Sequence, residues 1–229
     1  MNPATDPDDV PATALETASH YFSPTAADPD VITTLDVTLS GRAVQVRTAP
    51  GVFSQSRIDL GTRVLLRQAP APPAQGTFLD LGCGWGPIAL SLALHSPAAH
   101  VWAVDVNPRA VSLVTASARD IGLPGLRACL PDDVPDGLEF DVIWSNPPIR
   151  IGKQALHELL GGWLARLSAA GVAYLVVQRH LGADSLTAWI DAIDGLSARK
   201  VSSSKGFRVI EVSRSGSVTD HPSHAAHRR

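Results

Sequence analysis

The sequence predicts an α/β fold, in which seven mostly parallel strands form one sheet with helices on both faces. Strand-like and helix-like segments alternate through the middle of the chain, as they do in doubly wound sheets. The continuous apolar run 172–177 suits a strand that is buried on both faces. Two β-prone runs flank Ser40 and Gly41, a pair that favours a tight turn. We therefore expect a small N-terminal β-hairpin ahead of the main sheet.

The elements can be placed in order from their periodicity and their turn residues. After the hairpin and a short helix at 59–68, the alternation comprises strand 77–81, helix 87–95, strand 100–105, helix 108–121, strand 126–130 and strand 140–145. Apolar residues at three- and four-residue spacing then predict a helix on the sheet: Leu156, Leu159, Leu160, Trp163, Leu164 and Leu167. A helix at 185–193 and a closing hairpin, 196–203 with 207–212, complete the fold.

Length and composition predict one domain with two tails. The chain has 229 residues, of which 45% are hydrophobic and 18% are charged, so it can bury a core and is unlike a disordered protein. Residues 1–19 and 214–229 are polar and lack sustained periodicity. We expect these two segments to be disordered tails, and 20–213 to form a single domain with its hairpin at about 31–49.

The charge distribution excludes some classes of partner. The net charge of −3 argues against a sequence-blind polyanion binder, but residues 1–30 hold six acidic and no basic residues, which leaves the rest at +3. Cys83 and Cys129 cannot form a disulfide framework and lack zinc-ligand spacing, and we predict no metal site. No signal segment or membrane-length apolar run is present. The sequence therefore predicts a cytoplasmic protein without a membrane or a stable protein partner.

A glycine-rich turn follows the first strand of the main sheet. In the segment 78–87, FLDLGCGWGP, Gly82 and Gly84 would let the backbone approach a ligand closely, and Pro87 suits a first helical turn. A dinucleotide fingerprint needs glycine at position 87, and a P-loop needs a Lys-Ser/Thr pair, so neither fits. Asp105 ends the next strand, roughly 20 residues further on, where a carboxylate can bind ribose hydroxyls. A simple tight turn, with Asp105 capping the following helix, is the alternative.

A second motif follows the strand 140–145. Proline after Asn146 favours an extended backbone, and two consecutive prolines stiffen the segment SNPPI, 145–149. The carboxamide of Asn146 and the carbonyl of Pro147 could then accept the two N–H groups of an amine on a planar ring. Because the lone pair of such an amine is delocalised, the reaction depends on alignment more than on a strong base. An ordinary strand-ending turn is the alternative.

Together these motifs resemble a known family. DLGCGWG followed by VDVN resembles the S-adenosylmethionine signature of class I methyltransferases, which have a Rossmann-like fold, and Asn-Pro-Pro-Ile resembles the amino-methyltransferases acting on planar nitrogen. HYFS, GVFS, IDLGT, SNPPIRIGK and VVQRH extend the resemblance over about 20–212. They are similar to the bacterial small-subunit (16S) ribosomal RNA guanine-N2 methyltransferases of the methyltransferase small domain group, in particular to compact members with one catalytic domain.

The resemblance implies roles for individual residues. It places S-adenosylmethionine on Asp80, Gly82, Gly84 and Asp105, a cofactor lid on Phe53, Ser54, Asp59 and Gly61, and the adenine near Asp132. It places the target amine among Asn146, Pro147 and Pro148. The implied partner is ribosomal RNA or a small-subunit assembly particle.

Basic residues follow two of the strands at the same edge of the predicted sheet. Arg150 and Lys153 come after the second motif, and Arg179 with His180 follows the buried run, so we expect them to contact RNA phosphates. The low overall basicity keeps two alternatives open. One is an N-methyltransferase of a protein glutamine or a small amine, and the other is a non-catalytic cofactor-binding module of RNA or ribosome assembly.

Overall fold

The computed structural model describes residues 31–216. Outside these residues lie the predicted tail 1–19 and most of the predicted tail 214–229. The first part of the predicted domain 20–213, up to residue 30, also lies outside them. Arg214, the first residue of the second predicted tail, is the last residue of a β-strand. Within 31–216, no helix is long and apolar enough to cross a membrane. The same residues contain no cluster of three side chains suited to binding a metal ion.

The elements follow the predicted order with small shifts at their ends, except that the strand predicted at 172–177 already begins at Leu167. They are β1 (Thr33–Leu39), β2 (Arg42–Thr48), α1 (Leu60–Gln68), β3 (Thr77–Leu81), α2 (Pro87–His95), β4 (His100–Val104), α3 (Pro108–Ile121), β5 (Leu126–Cys129), β6 (Phe140–Ser145), α4 (Lys153–Leu164), β7 (Leu167–Gln178), α5 (Ala183–Asp191), β8 (Leu196–Ser204) and β9 (Phe207–Arg214). Short 3₁₀ turns at Pro131–Asp133, Ile149–Ile151 and Arg179–Leu181 follow β5, β6 and β7.

The N-terminal hairpin is a separate two-stranded sheet formed by β1 and β2. Its two turn residues, Ser40 and Gly41, have φ angles of 46° and 76°, as the tight turns of β-hairpins require. The Ser40 hydroxyl donates to the carbonyl of Ser91 on α2 at 2.9 Å. The backbone N–H of Arg47 donates to the Ser117 hydroxyl on α3 at 2.9 Å. These two bonds attach the hairpin to the helical layer.

The main sheet has seven strands in the order β5-β4-β3-β6-β7-β9-β8. The pairs from β5 to β7 are parallel, whereas β9 is antiparallel to both β7 and β8. This confirms the predicted Rossmann-like α/β sheet and its closing hairpin. The chain winds outward from β3 to β5 and then in the other direction from β6, so a crevice forms at the carboxyl ends of β3, β4 and β6.

The core lies on both faces of this sheet. One layer contains α1, α2, α3 and the hairpin, with buried side chains such as Leu65, Leu90 and Val114. The other contains α4 and α5, with buried side chains such as Leu160 and Ile190. Every residue of α2 except its last is buried, which explains why this helix reads as apolar on all sides.

One predicted helix boundary is wrong. Leu167 continues the leucine spacing of α4, but it is the first residue of β7 and pairs with Phe140. The helix ends at Leu164, the N–H of Arg166 donates to the carbonyl of Trp163, and the chain turns back into the sheet. Periodicity misassigned Leu167 because a buried leucine fits either environment. The predicted strand 100–105 also ends at Val104, which leaves Asp105 just beyond the sheet.

Candidate active site

The glycine turn connects β3 to α2 at the carboxyl edge of the sheet. The N–H groups of Gly82 and Cys83 both donate to the carbonyl of Val104, at 2.8 and 3.0 Å, which fastens the turn to β4. Gly82 has a φ of 76°, and a Cβ built there would have no heavy atom within 4 Å. The backbone therefore faces open space at Gly82. A Cβ on Gly86 would instead lie 2.8 Å from Val114 Cγ2, so this third glycine serves helix packing.

Asp105 lies directly against the glycine turn. Its Oδ2 accepts from the N–H of Gly84 at 2.8 Å, and its Oδ1 accepts from the N–H of Asn107 at 2.9 Å. The cap of α3 is Asn107, whose Oδ1 accepts from the N–H of Arg109 at 3.0 Å. Asp105 is therefore not the side chain that caps this helix. Each carboxylate oxygen has lone pairs left for a further donor, such as a hydroxyl.

Asp80 lies beneath the turn and does not line the crevice. It is 0% exposed, and its Oδ2 accepts from the N–H of Ala89 at 2.9 Å, which ties β3 to α2. Its Oδ1 has no hydrogen-bond partner in the described structure. Burial raises the pKa of the Asp80 carboxyl to about 8, an effect that the hydrogen bond from Ala89 opposes and the Asp105 carboxylate reinforces. A direct contact of Asp80 with a ligand does not follow from this geometry.

Asp80 should make stability depend on pH. Because its folded-state pKa of about 8 exceeds the ordinary 3.8, the folded protein keeps a proton that the unfolded chain releases between these values. The free energy of unfolding should therefore fall as pH rises through this window, by at most about 1.4 kcal/mol per pH unit from this group. Asp80→Asn cannot titrate and should flatten that slope. Urea unfolding at several values from about pH 5 to about pH 8 measures this slope in both proteins. Equal slopes for Asp80→Asn and the unsubstituted protein would contradict the raised pKa of Asp80.

Asn146 follows β6, whose end is fixed to β3 by a 2.7 Å bond from the Ser145 hydroxyl to the carbonyl of Leu81. The Nδ2 of Asn146 donates to Asp59 Oδ2 and to Thr62 Oγ1, both at 3.1 Å. Both hydrogens of the carboxamide are therefore used inside the protein. The oxygen of Asn146 is left as a hydrogen-bond acceptor.

The two prolines after Asn146 differ in their surroundings. Pro147 is buried, and its carbonyl accepts from the N–H of Ile149 at 2.9 Å. One lone pair of the predicted second acceptor is thus already used, and one remains. Pro148 is exposed, and its carbonyl accepts from the N–H of Ile151 at 3.1 Å. The second of these bonds belongs to the 3₁₀ turn Ile149–Ile151.

Asp59 and Gly61 belong to the start of α1. Asp59 is the N-cap, and its Oδ2 accepts from the N–H of Gly61 at 2.7 Å and of Thr62 at 3.3 Å. A Cβ on Gly61 would lie 2.9 Å from Phe207 Cε1. Gly61 is therefore required for packing against β9, and it does not line the cavity beside the glycine turn. Its predicted place in a cofactor lid stays a prediction.

The segment 51–56, here called the Phe53 loop, covers the glycine turn. Trp85 Nε1 donates to the carbonyl of Ser54 at 3.1 Å, and Asn107 Nδ2 donates to the carbonyl of Gly51 at 3.3 Å. Beneath the loop is a cavity of about 20 Å³, lined by Phe53, Ser54, Asp59, Thr62, Gly82, Cys83, Gly84, Trp85, Pro87, Ile88 and Asn146. This volume suits roughly one water molecule, so the cavity by itself does not hold a nucleoside-sized ligand.

Two apolar side chains at this edge are unusually exposed. Phe53 is 65% exposed, and Val106, directly after Asp105, is 78% exposed. Such surfaces can pack against a planar ring. Val106 was not among the residues predicted from the sequence, although its place within VDVN was a usable signal. Asp132, the predicted adenine contact, is exposed in the 3₁₀ turn after β5, and its side chain makes no hydrogen bond within 31–216.

The predicted basic residues share one edge of the sheet. Arg150, Lys153 and Arg179 follow β6 and β7, and all are exposed. Lys205 joins them from the turn between β8 and β9, next to Gly206, whose carbonyl accepts from the N–H of Arg179 at 2.8 Å. We call these four residues the basic edge. None of them forms an ion pair within the described chain. Lys205 was not predicted from the sequence, because only the strand order brings it to this edge.

Comparison with known proteins identifies similar sequences and folds. The profile of the family described as "Methyltransferase small domain" matches residues 43–211. YbxB of Bacillus subtilis, whose function is uncharacterised, is 31% identical over 198 residues, which cover 85% of this chain and 98% of YbxB. Ribosomal RNA small subunit methyltransferase C of Salmonella choleraesuis is 34% identical over 142 residues, which cover 59% of this chain. The match spans 41% of the length of that relative.

A solved structure shares the fold. It is the 16S rRNA N2 G1207 methyltransferase of T. thermophilus in complex with AdoMet and guanosine. It superposes with a TM-score of 0.71 at 22% identity, over 81% of this chain and 51% of that one. At this identity the likeness concerns the fold. The crevice described above therefore belongs to an architecture found in S-adenosylmethionine-binding proteins.

Proposed function

The chain belongs to the methyltransferase small domain family of S-adenosylmethionine-dependent methyltransferases, and we propose that its acceptor is the exocyclic N2 amine of a guanine in 16S ribosomal RNA. The orientation of Asn146 supports this most directly. Its carboxamide hydrogens are taken by Asp59 and Thr62, so its oxygen is left to accept a hydrogen bond from a substrate N–H.

The residues around the crevice fit the cofactor. Gly82 leaves the backbone open to a ligand, and Asp105 has lone pairs free for ribose hydroxyls. Val106 and Phe53 offer apolar surface for the adenine and for covering the bound molecule. When bound, S-adenosylmethionine supplies an electrophilic methyl group on sulfur. Asp80 supports the turn from below.

The protein's own contribution to the reaction is to align the amine with the methyl group. The amine of guanine is a poor nucleophile because its lone pair is delocalised into the ring. Hydrogen bonds to the oxygen of Asn146 and to the free lone pair of the Pro147 carbonyl would turn that lone pair toward the methyl group. With S-adenosylmethionine bound, the amine nitrogen would gain the methyl group as the carbon–sulfur bond breaks, and the nitrogen would then lose one proton to solvent. No strongly basic side chain is needed at Asn146.

Two observations favour RNA as the acceptor. The relatives that match at 34% identity are named for methylation of small-subunit ribosomal RNA. The basic edge provides exposed cations beside the proposed catalytic segment, and these cations have no ion-pair partner among residues 31–216, so they are available to contact phosphate. Because base pairing and stacking hide an amine in a helix, the guanine should be unpaired or turned outward when it enters.

Methyl transfer from labelled S-adenosylmethionine tests this function. The acceptors are small-subunit particles and naked ribosomal RNA from a strain that lacks this gene, and the product is digested to nucleosides. We expect N2-methylguanosine. Another methylated nucleoside would show that the target base is not guanine or that its reacting atom is not N2. If no label entered RNA but cofactor binding were measurable, a protein glutamine or a small amine would be favoured as the acceptor.

The basic edge should contribute to RNA affinity in a salt-dependent way. Arg150→Ala and Arg179→Ala should each weaken RNA binding and reduce the slope of log K against log salt by about 0.7, the value for one contact with single-stranded nucleic acid. Arg119→Ala is the matched control, because Arg119 is exposed in the last turn of α3, at the opposite edge of the sheet. Binding titrations over a range of salt concentrations measure the slopes. Equal slopes for all three variants would exclude the basic edge from the RNA contact.

A further inference from the structure

From the contacts of Asn146 we infer that Asp59 and Thr62 are positioning residues, which hold its carboxamide with the oxygen toward the acceptor and so restrict the site to acceptors that donate an N–H. This inference rests on the proposed function, in which Asn146 contacts the amine. Asp59 Oδ2 and Thr62 Oγ1 each accept from Asn146 Nδ2 at 3.1 Å.

The chemistry of Asp59 determines which end of the carboxamide faces it. The two ends of an asparagine carboxamide have nearly the same shape, so packing alone does not choose between them. An ionised carboxylate can only accept hydrogen bonds. If Asn146 turned by 180°, its oxygen would lie against the Asp59 carboxylate, and the two acceptors would repel each other. Nδ2 must therefore face Asp59.

The start of α1 fixes both partners of Asn146. Asp59 is held by its own cap bonds to the N–H groups of Gly61 and Thr62, at 2.7 and 3.3 Å. Thr62 is buried, with 3% of its surface exposed, so its hydroxyl has little freedom to move. The carboxamide of Asn146 therefore donates to two side chains, Asp59 and Thr62, whose positions are already fixed by the N-terminus of α1. Its direction is set before a substrate arrives, which is the arrangement that preorganised catalysis requires.

The orientation has a consequence for specificity. With both hydrogens of Nδ2 engaged, Asn146 offers the substrate only an acceptor. An exocyclic amine or a primary amide can donate to it, whereas a carbonyl oxygen or a ring nitrogen without hydrogen would place two acceptors together. The network thus selects for the amine group of the acceptor, and reactions at unprotonated ring nitrogens or carbonyl oxygens are disfavoured.

Substitutions at the two partners test this role. Thr62→Val keeps the shape and removes the hydroxyl, and Thr62→Ser keeps the hydroxyl. Asp59→Ser keeps a good helix cap but is too short to reach Asn146. We expect Thr62→Val and Asp59→Ser to lower kcat about tenfold, with little change in the Kd for S-adenosylmethionine, as for the loss of one hydrogen bond. Thr62→Ser should restore most of the turnover. An unchanged kcat in both variants would overturn the inference.

A double-mutant cycle separates positioning from a general structural effect. If both residues act through Asn146, Thr62→Val and Asp59→Ser should lower kcat no further in a protein that already carries Asn146→Ala. Losses that multiply in the double variants would show that Asp59 and Thr62 act elsewhere, and would overturn the inference. If Asn146→Ala by itself left kcat unchanged, the proposed role of Asn146 would be wrong. That result can be told apart from a failure of the positioning role, in which Asn146→Ala lowers kcat but the losses multiply.

A further measurement does not depend on the acceptor. In ¹⁵N-labelled protein, the side-chain amide of Asn146 should exchange its hydrogens slowly with solvent, because both are hydrogen-bonded. Asp59→Ser and Thr62→Val should each accelerate this exchange, while Thr62→Ser should not. Rapid exchange in the unsubstituted protein, or exchange that none of the variants changes, would overturn the inference even if the substrate proves to be another amine.

Discussion

Asn146→Ala is expected to lower the rate of methyl transfer at least about a hundredfold while leaving the affinity for S-adenosylmethionine nearly unchanged. The estimate follows from the loss of one preorganised polar group at the reacting centre. Asn146 is bonded to α1 through Asp59 and Thr62, so its oxygen is in place before the acceptor binds. Single-turnover rates and cofactor calorimetry give the two quantities separately.

Gln45→Ala is the matched control for this substitution. It also removes a carboxamide, but Gln45 lies on the N-terminal hairpin, exposed and bonded to Asp36 at 3.2 Å, away from the crevice. Its rate of methyl transfer should equal that of the unsubstituted protein. If Asn146→Ala weakened cofactor binding as much as turnover, the role of Asn146 would lie with the cofactor and not with the amine.

The second large effect is expected at Asp105. Asp105→Ala should weaken the binding of S-adenosylmethionine about 10- to 100-fold, because charge-assisted hydrogen bonds contribute about 1.5–3 kcal/mol. Turnover at saturating cofactor should change less, since we propose that the carboxylate contacts the ribose and not the reacting atoms. The bonds that Asp105 accepts from Gly84 and Asn107 are also lost, so the glycine turn loses part of its support.

Two comparisons separate these contributions to cofactor binding. Asp105→Asn keeps an acceptor oxygen for the turn and removes the charge, so it should fall between Asp105→Ala and the unsubstituted protein. Asp132→Ala removes an exposed carboxylate after the neighbouring strand β5 and tests the predicted adenine contact. Calorimetric titration with S-adenosylmethionine measures the affinities of Asp105→Ala, Asp105→Asn and Asp132→Ala. An unchanged affinity in Asp105→Ala would exclude Asp105 from the cofactor site.

The order and type of the elements could be predicted because their signals are local. Apolar spacing, the Ser40-Gly41 turn and the prolines that begin α2 and α3 all act within a few residues. Leu167 was wrongly assigned to the helix for the same reason, because its signal was the local leucine spacing. Whether a buried leucine ends a helix or begins a strand depends on its pairing with Phe140, and spacing along the chain does not contain that information.

The sequence by itself determined the family and the candidate chemistry, since the glycine turn, Asp105 and the segment from Asn146 to Pro148 are each contiguous motifs at strand ends. Only the tertiary structure decided what each side chain faces. It placed Asp80 under the turn, set Gly61 against Phe207, and joined Asn146 to Asp59, which lies 87 residues earlier in the chain. A motif fixes which residue types follow a strand, but hydrogen-bond partners so far apart are brought together by the order of the strands.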